Sequence, residues 1–473
     1  VIQPSARLHF VGIGGSGMSA LAEVLLQRGY RVSGCDVRES ASVQRLRALG
    51  ADVLIGHSPD HLVGADIVVV SRAIGGGNDE VRAARERHLV MLHRAEMLGE
   101  VLRGGRGIAV VGTHGKTTTT AMLTRILIGA GLDPTALIGA DVPELSSNAR
   151  AGHGTWVVAE VDESDGSLLR VAPWAAILTS LDVTDHRDFY ASADQLMATF
   201  EQFLHSVSPE GFIVACSDHT GVRRLAEGLD RTVISYGFAD EAAVRAEIRA
   251  IHGYTTRAGI FIAGREAGEL VLQVPGRHNV SNALGAIAAA VQIGVPLPVV
   301  IDGLAVFRGA SRRFEVRGEA GGVLVVDDYA HNPVKVAAAL RAAREGWPDH
   351  RVIALFQPHR FTRTQTTFND FARAFDAADE VIVTEIYAAD ERPLPGVTAQ
   401  LIVDSVAAHR PVHYRPTVGA ALDLIESLAA AGSIVVTLGA GDIGRAADAL
   451  VRRLAVRGSR DSTSGSVRAG GAS

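Results

Sequence analysis

Along the chain, short apolar runs repeatedly stop at a cluster of glycines and give way to apolar residues spaced at helical intervals. Leu8-His9-Phe10-Val11-Gly12-Ile13 meets Gly14-Gly15-Ser16-Gly17, followed by an amphipathic stretch from Met18 to Leu26. Ile108 to Val111 meets Gly112-Thr113-His114-Gly115-Lys116-Thr117-Thr118, followed by Met122 to Ile128. A third region opens with Val323 to Val326 and contains the runs Val352–Phe356, Val381–Val383 and Ile434–Thr437. Runs without polar alternation belong to strands covered on both faces, so strands alternating with helices predict parallel sheets and the α/β class.

The breaks fall where composition shifts. Arg103-Gly104-Gly105-Arg106-Gly107 reads as a linker, and Glu319-Ala320-Gly321-Gly322 separates Phe314-Glu315-Val316 from the third region. The expected domains are therefore 1–104, 105–318 and 319–457, which agrees with about three domains at ~150 residues each. Alternating segments between Gly237 and Val274 predict a small β-rich part of the middle domain. From 458 to 473 the chain is rich in Gly, Ser and Arg without periodicity, and disorder is expected there.

Composition narrows the classes. The 473 residues carry a net charge of −6, which gives no general attraction to nucleic acid or anionic lipid, so any phosphate site must be local. Cys35 and Cys216 lack both a disulfide framework and metal-ligand spacing, which suits a reducing cytosol. No apolar run approaches the ~20 residues of a membrane span, and no leader pattern precedes Leu8; a cytoplasmic protein without membrane insertion is expected. Of the 46 basic residues only Lys116 and Lys335 are lysines. Base composition can produce such a bias, but a compact ammonium and a planar guanidinium are not interchangeable, so a retained lysine points toward a role that arginine cannot fill.

Candidate chemistry clusters at the strand ends. Gly12-Ile13-Gly14-Gly15-Ser16-Gly17, with Asp36 ending the next strand, fits the dinucleotide fingerprint; NAD, a nucleotide-sugar and a bare strand–helix turn all remain open. Gly112 to Thr118 is more specific. The usual phosphate-loop glycine five residues before Gly115 is Val110, yet the shorter loop can still cradle phosphates with backbone N–H groups. In that reading Lys116 reaches the terminal phosphate oxygens and the Thr117 hydroxyl ligates Mg²⁺. Val157 to Asp165 is a strand running into Glu160, Asp162, Glu163 and Asp165, hard oxygen donors suited to Mg²⁺ or a solvated acidic loop. Strand alternation puts Glu160 and Asp162 on one face and Glu163 on the other. His186, closing the run Ile177–His186, is a candidate metal ligand or a plain surface histidine. Pro275 to Ala283 opens a helix whose amides could read an adenine edge or simply cap it. Arg308–Glu315, Asp327–Pro333 and Gln357–Thr364 adjoin strands and carry Arg, His and Asp suited to carboxylate and phosphate clamps. Gly439-Ala440-Gly441-Asp442-Ile443-Gly444 reads as a glycine turn.

In this order the motifs resemble the Mur ligase family, over a span from about Leu8 to Ala455. Gly-Thr-x-Gly-Lys-Thr-Thr, the Glu-x-Asp-Glu strand end, Asp-His, His-Asn-x-x-Asn-Ala and Asp-Tyr-Ala-His-Asn-Pro carry the likeness. Gly-Ile-Gly-Gly-Ser-Gly-Met-Ser and Gln-Pro-His-Arg-Phe-Thr-Arg-Thr are similar to members that add L-alanine to UDP-N-acetylmuramate. The resemblance implies a Rossmann-like N-terminal domain for the UDP moiety, a central ATPase domain, and a C-terminal Rossmann-like domain that admits the amino acid and closes the site. It implies ATP, two Mg²⁺ ions and an acyl-phosphate route to the amide.

Residue by residue, it implies phosphate and nucleotide contacts at Gly112, Thr113, His114, Gly115, Lys116, Thr117, Thr118, Asn279, Asn282, Arg313 and Asp328. Metal contacts fall on Thr117, Glu160 and His186. Substrate contacts fall on Gly14, Gly15, Ser16, Gly17, Asp36, Ser71, Arg94, Asn148, His331, His359, Arg360 and Arg363. Lys116, Glu160, His186, Arg360 and Arg363 are the implied catalytic set, and a homodimer is admitted. Two departures stand out. No lysine lies between Lys116 and Lys335, so the carbamylated lysine common in sister ligases has no counterpart. Ser180 stands where the family pattern has Asn. The competing readings are a murein-recycling peptide ligase, an NAD-dependent dehydrogenase and a phosphate-loop switch without amide chemistry.

Overall fold

The computed structural model describes residues 2–3, 5–182, 189–389 and 391–467, with side chains described as far as residue 457. The α/β expectation holds in three sheets. The first is all parallel, in the order Asp52–Ile55, Arg31–Asp36, Arg7–Val11, Ile67–Val70, Val90–His93. Its direction of winding reverses between Arg7–Val11 and Ile67–Val70, the switch point at which such sheets open a ligand crevice.

The second sheet has ten strands. From one edge they run Arg265–Leu272, Thr255–Ile262, Val244–His252, Thr232–Gly237, Phe212–Cys216, Ala175–Leu178, Arg106–Val111, Trp156–Glu160, Thr135–Val142, Ser147–Arg150. The β-rich part expected between 237 and 274 supplies the first three. They extend the central sheet at its edge. The third sheet runs Glu315–Ala320, Val323–Asp328, Ser433–Leu438, Arg351–Phe356, Glu380–Val383, Val412–Tyr414, with only the first pair antiparallel.

Packing divides the chain differently from sheet count. One compact unit comprises 1–247, 258–271 and 280–310, and the other 248–257, 272–279 and 311–473. The first two sheets share a unit because they share a core. Leu21 and Leu25 of the helix Ser16–Gln27 belong to the same buried cluster as Leu137, Ala149 and Val157 of the central sheet. Polar contacts reinforce the seam: Glu23 accepts from Arg45 Nε at 3.0 Å and Ser147 Oγ at 2.8 Å, and Arg28 Nη2 donates to Thr135 Oγ1 at 3.0 Å. The sequence break at Gly104-Gly105 is thus not a break in packing. At the other end the helix Gly444–Val467 carries helical backbone into the segment expected to lack structure, and 468–473 lie outside the described residues. Among the described residues no helix is long and apolar enough to cross a membrane.

Candidate active site

The strand Arg106–Val111, buried beyond its first residue, launches the loop Gly112–Gly115 and the helix Lys116–Gly129. Gly112 and Gly115 have φ of +127° and +81°, conformations that side-chain-bearing residues avoid. Space is as restrictive as conformation. A Cβ on Gly112 would sit 2.3 Å from Thr179 Oγ1, and one on Gly115 2.3 Å from Asn282 Oδ1. The loop is therefore clamped between the strand end Thr179-Ser180 and the helix Arg277–Gln292. Thr179 Oγ1 donates to the His114 carbonyl at 2.5 Å, Ser180 Oγ accepts from the His114 N–H at 2.8 Å, and Thr113 Oγ1 accepts from the Asp182 N–H at 2.9 Å. His114 Nε2 lies 3.0 Å from Asp182 Oδ2. Ser180, the departure from the family pattern, thus serves the loop backbone directly.

Lys116 Nζ donates to both oxygens of Glu163, at 2.8 and 2.7 Å, and to the Gly112 carbonyl at 2.6 Å. Burial disfavours the ammonium, but the carboxylates of Glu163, Asp162 and Glu160 outweigh it and hold Lys116 above the ordinary lysine range. The expected face assignment needs correction here. The strand Trp156–Glu160 ends at Glu160, so a turn and not strand alternation positions Asp162 and Glu163. Asp162 accepts from Ser164 N–H at 3.1 Å and faces Arg94 Nη2 at 3.7 Å, while Glu163 folds inward to hold the lysine. Glu160 Oε2 accepts from the Gly139 N–H at 2.8 Å. Thr117 and Thr118 are buried beside the loop. His186 lies outside the described residues.

The N-terminal glycine turn opens toward the switch point. Gly15 is the N-cap of the helix Ser16–Gln27 with no side-chain cap, which leaves the first-turn N–H groups without a side-chain partner. Gly14 N–H donates to Asp36 Oδ2 at 2.9 Å. A Cβ on Gly17 would lie 2.9 Å from Arg94 Nη1, so the guanidinium spans from this turn to Asp162. Asn148 Nδ2 donates to the Ser16 carbonyl at 2.8 Å and its Oδ1 accepts from Arg45 at 3.3 Å. Ser71 follows the strand Ile67–Val70 across the switch point. Gly14, Gly15, Ser16, Gly17, Asp36, Arg94 and Asn148 thus meet around one helix N-terminus.

The second unit gathers the other expected residues, apart from Asn282. Asp328 ends the strand Val323–Asp328 and accepts from the Phe314 and Ala330 N–H groups, both at 2.8 Å. Burial pushes its carboxyl up to about 6, against the pull of Arg313 and those two N–H donors. Arg313 lies 5.1 Å from the Tyr329 ring centre. His331 Nδ1 donates to the Tyr329 carbonyl at 2.8 Å, and its ring stands 5.9 Å from that of His359. Arg363 Nη1 donates to His359 Nδ1 at 3.0 Å. Burial first, then Arg363 and Arg360, lowers His359 to about 4. Arg312, Phe314 and Arg360 all have positive φ (+59°, +49°, +70°), a local strain of order 1 kcal/mol each that clusters where side chains must be aimed. Asn279, in this unit, donates to the Pro275 carbonyl at 2.8 Å. The turn at Gly439 packs on the Gln357 backbone, as the glycine-turn reading expects.

Sequence reasoning missed Glu163 as the lysine's partner, and Thr179 and Asp182 as supports of the loop. It also missed Arg312, whose Nε donates to Asp327 Oδ2 at 2.8 Å and whose Nη2 donates to the Gly439 carbonyl at 2.6 Å. The signal for Arg312 was its place next to Arg313 before a strand, which gave no way to tell the arginine that braces the strand ends from its neighbour.

Family models match three consecutive stretches: the catalytic domain of the Mur ligase family over 7–106, the Mur ligase middle domain over 110–290 and the Mur ligase glutamate ligase domain over 312–441. A UDP-N-acetylmuramate–L-alanine ligase of Trichlorobacter lovleyi is 44% identical over 451 residues, covering 95% of this chain and 99% of that one. Among solved structures, the UDP-N-acetylmuramate–alanine ligase of Thermotoga maritima has a TM-score of 0.81 at 30% identity, covering 94% and 98% of the two chains. A murein peptide ligase of Psychrobacter arcticus has a TM-score of 0.70 at 25% identity, covering 95% and 99%.

Proposed function

Because the chain belongs to the Mur ligase family, we propose that it joins L-alanine to the carboxylate of UDP-N-acetylmuramate with consumption of ATP. The observation that carries this reading is the half-buried Lys116 ammonium, held in a two-glycine loop beside Glu160, Asp162 and Glu163. The higher identity to L-alanine ligases than to the murein peptide ligase favours the free amino acid over a preformed peptide as acceptor. The dehydrogenase reading leaves this loop without a task.

A carboxylate is a poor electrophile. Phosphorylation by ATP turns it into an acyl phosphate, and the alanine amine then displaces phosphate to give the amide. Such transfer depends on charge neutralisation and alignment more than on a protein nucleophile. Lys116 supplies a fixed positive charge to the terminal phosphates, and the loop N–H groups orient them. The hard oxygens of Thr117 and Glu160 fit Mg²⁺, which when bound neutralises charge on the transferring phosphoryl group. His186 is assigned with Glu160 to a second ion. Asn279, Asn282, Arg313 and Asp328 are assigned to the nucleotide, Gly14 to Gly17 with Asp36, Ser71, Arg94 and Asn148 to the UDP-sugar. His331, His359, Arg360 and Arg363 are assigned to alanine and the reacting carboxylate, His359 acting as a neutral imidazole. We take 1–104, 105–318 and 319–457 as the functional segments.

The test is phosphate release across a matrix of substrates. Release should require UDP-N-acetylmuramate and L-alanine together; release with tripeptide but not alanine would move the chain to the recycling class, and release indifferent to either would end the ligase reading.

A further inference from the structure

We infer that the N-terminal sheet carries a Zn²⁺ site built from His9, Cys35 and Glu80, with His57 at its edge. All three core residues are buried, with His9 at 1%, Cys35 at 0% and Glu80 at 0% exposure. Their donor atoms lie within 4.8 Å of one another. His9 Nδ1 is engaged by Ser33 Oγ at 3.1 Å, while its Nε2 is buried with no hydrogen-bond partner and stands 3.6 Å from Glu80 Oε2. An imidazole fixed through one nitrogen with the other aimed at a carboxylate and a thiol is the usual posture of a metal-ligating histidine.

The spacing fits. Tetrahedral Zn²⁺ with bonds of about 2.0–2.3 Å sets its donor atoms about 3.3–3.6 Å apart. His57 Nδ1 lies 3.2 Å from Cys35 Sγ and 3.6 Å from Glu80 Oε2. Cys35 Sγ and Glu80 Oε2 are closer, at 2.7 Å, because the thiol proton bridges them; metal binding releases that proton to solvent and forms the Zn–S bond in its place. His61 Nδ1 holds the other oxygen, Glu80 Oε1, at 2.6 Å and orients the carboxylate. A thiolate with imidazoles and one carboxylate suits Zn²⁺ and not the hard Mg²⁺. Adjacent strand residues point to opposite faces, and it is Asp36 that meets Gly14.

The full chain, dialysed against chelator, is titrated with Co²⁺ as a spectroscopic probe. Thiolate-to-cobalt absorption should saturate at one ion per chain and be displaced by Zn²⁺. Cys35→Ser should abolish it, His9→Gln should weaken affinity at least tenfold, and Cys216→Ser should leave it intact. Glu80→Gln gives a second reading should Cys35→Ser fold poorly, again with loss of affinity. No thiolate absorption in the unsubstituted protein, or undiminished absorption in Cys35→Ser, would overturn the site. The Lys116 loop contains no thiol, so failure here and failure of the ligase reading register in separate experiments.

Discussion

At the residue scale the proposed activity turns on Lys116. Replacing it with alanine removes a fixed charge from the phosphate loop, and ATP-dependent phosphate release should fall by at least ~10²-fold. Arginine should not restore it, because the guanidinium cannot occupy the compact position between Gly112 and Glu163. Steady-state assays of both variants decide this; substantial turnover in Lys116→Ala excludes the role. The partner behaves differently. Glu163→Gln leaves a half-buried ammonium short of its nearest counter-charge and should lower stability by about 2 kcal/mol, read from urea midpoints. His359 offers a pH test. Its folded pKa of about 4 lies below the ordinary histidine value, so its contribution to stability is present above that ordinary value and is lost as pH falls through about 4. NMR titration of the ring should give a midpoint near 4, and a midpoint at the ordinary histidine value would show the ring to be solvated.

At the element scale, the loop Gly112–Gly115 shows what a pattern of residue types can and cannot reveal. The strand, the glycines and the helix start at Lys116 were all legible, because apolar runs, positive-φ glycines and helical spacing are local properties of the chain. Gly115→Ala should therefore be costly twice over, through φ and through the 2.3 Å approach of Asn282 Oδ1. We expect ATP affinity to fall at least tenfold with little change in the far-UV spectrum; unchanged affinity in a binding titration would show that the loop relaxes freely. The pairing across the loop lay beyond such reading. Whether Glu160 or Glu163 takes the lysine depends on where the strand stops, and that is set by a turn through Asp162 and Ser164. Arg312 and Arg313 are likewise neighbours in sequence whose separate roles come from a backbone with positive φ at Arg312.

At the scale of the whole molecule, three sheets were foreseeable from three glycine-punctuated regions, but their grouping was not, since burial between sheets leaves no local mark. The helix Ser16–Gln27 presents one face to its own sheet and packs also on the strands Thr135–Val142 and Ser147–Arg150. A fragment of residues 1–104 should accordingly lack the cooperative unfolding transition of a native domain and bind apolar dyes; a sharp two-state melt from that fragment would show the seam to be dispensable. The seam also has a consequence during synthesis. A nascent chain that has released residues up to 104 still lacks the partner of that helix until Arg150 emerges, about fifty residues later. At a ribosome's pace of ~5–20 residues per second the apolar face waits uncovered on the order of several seconds, a window in which it is open to wrong partners.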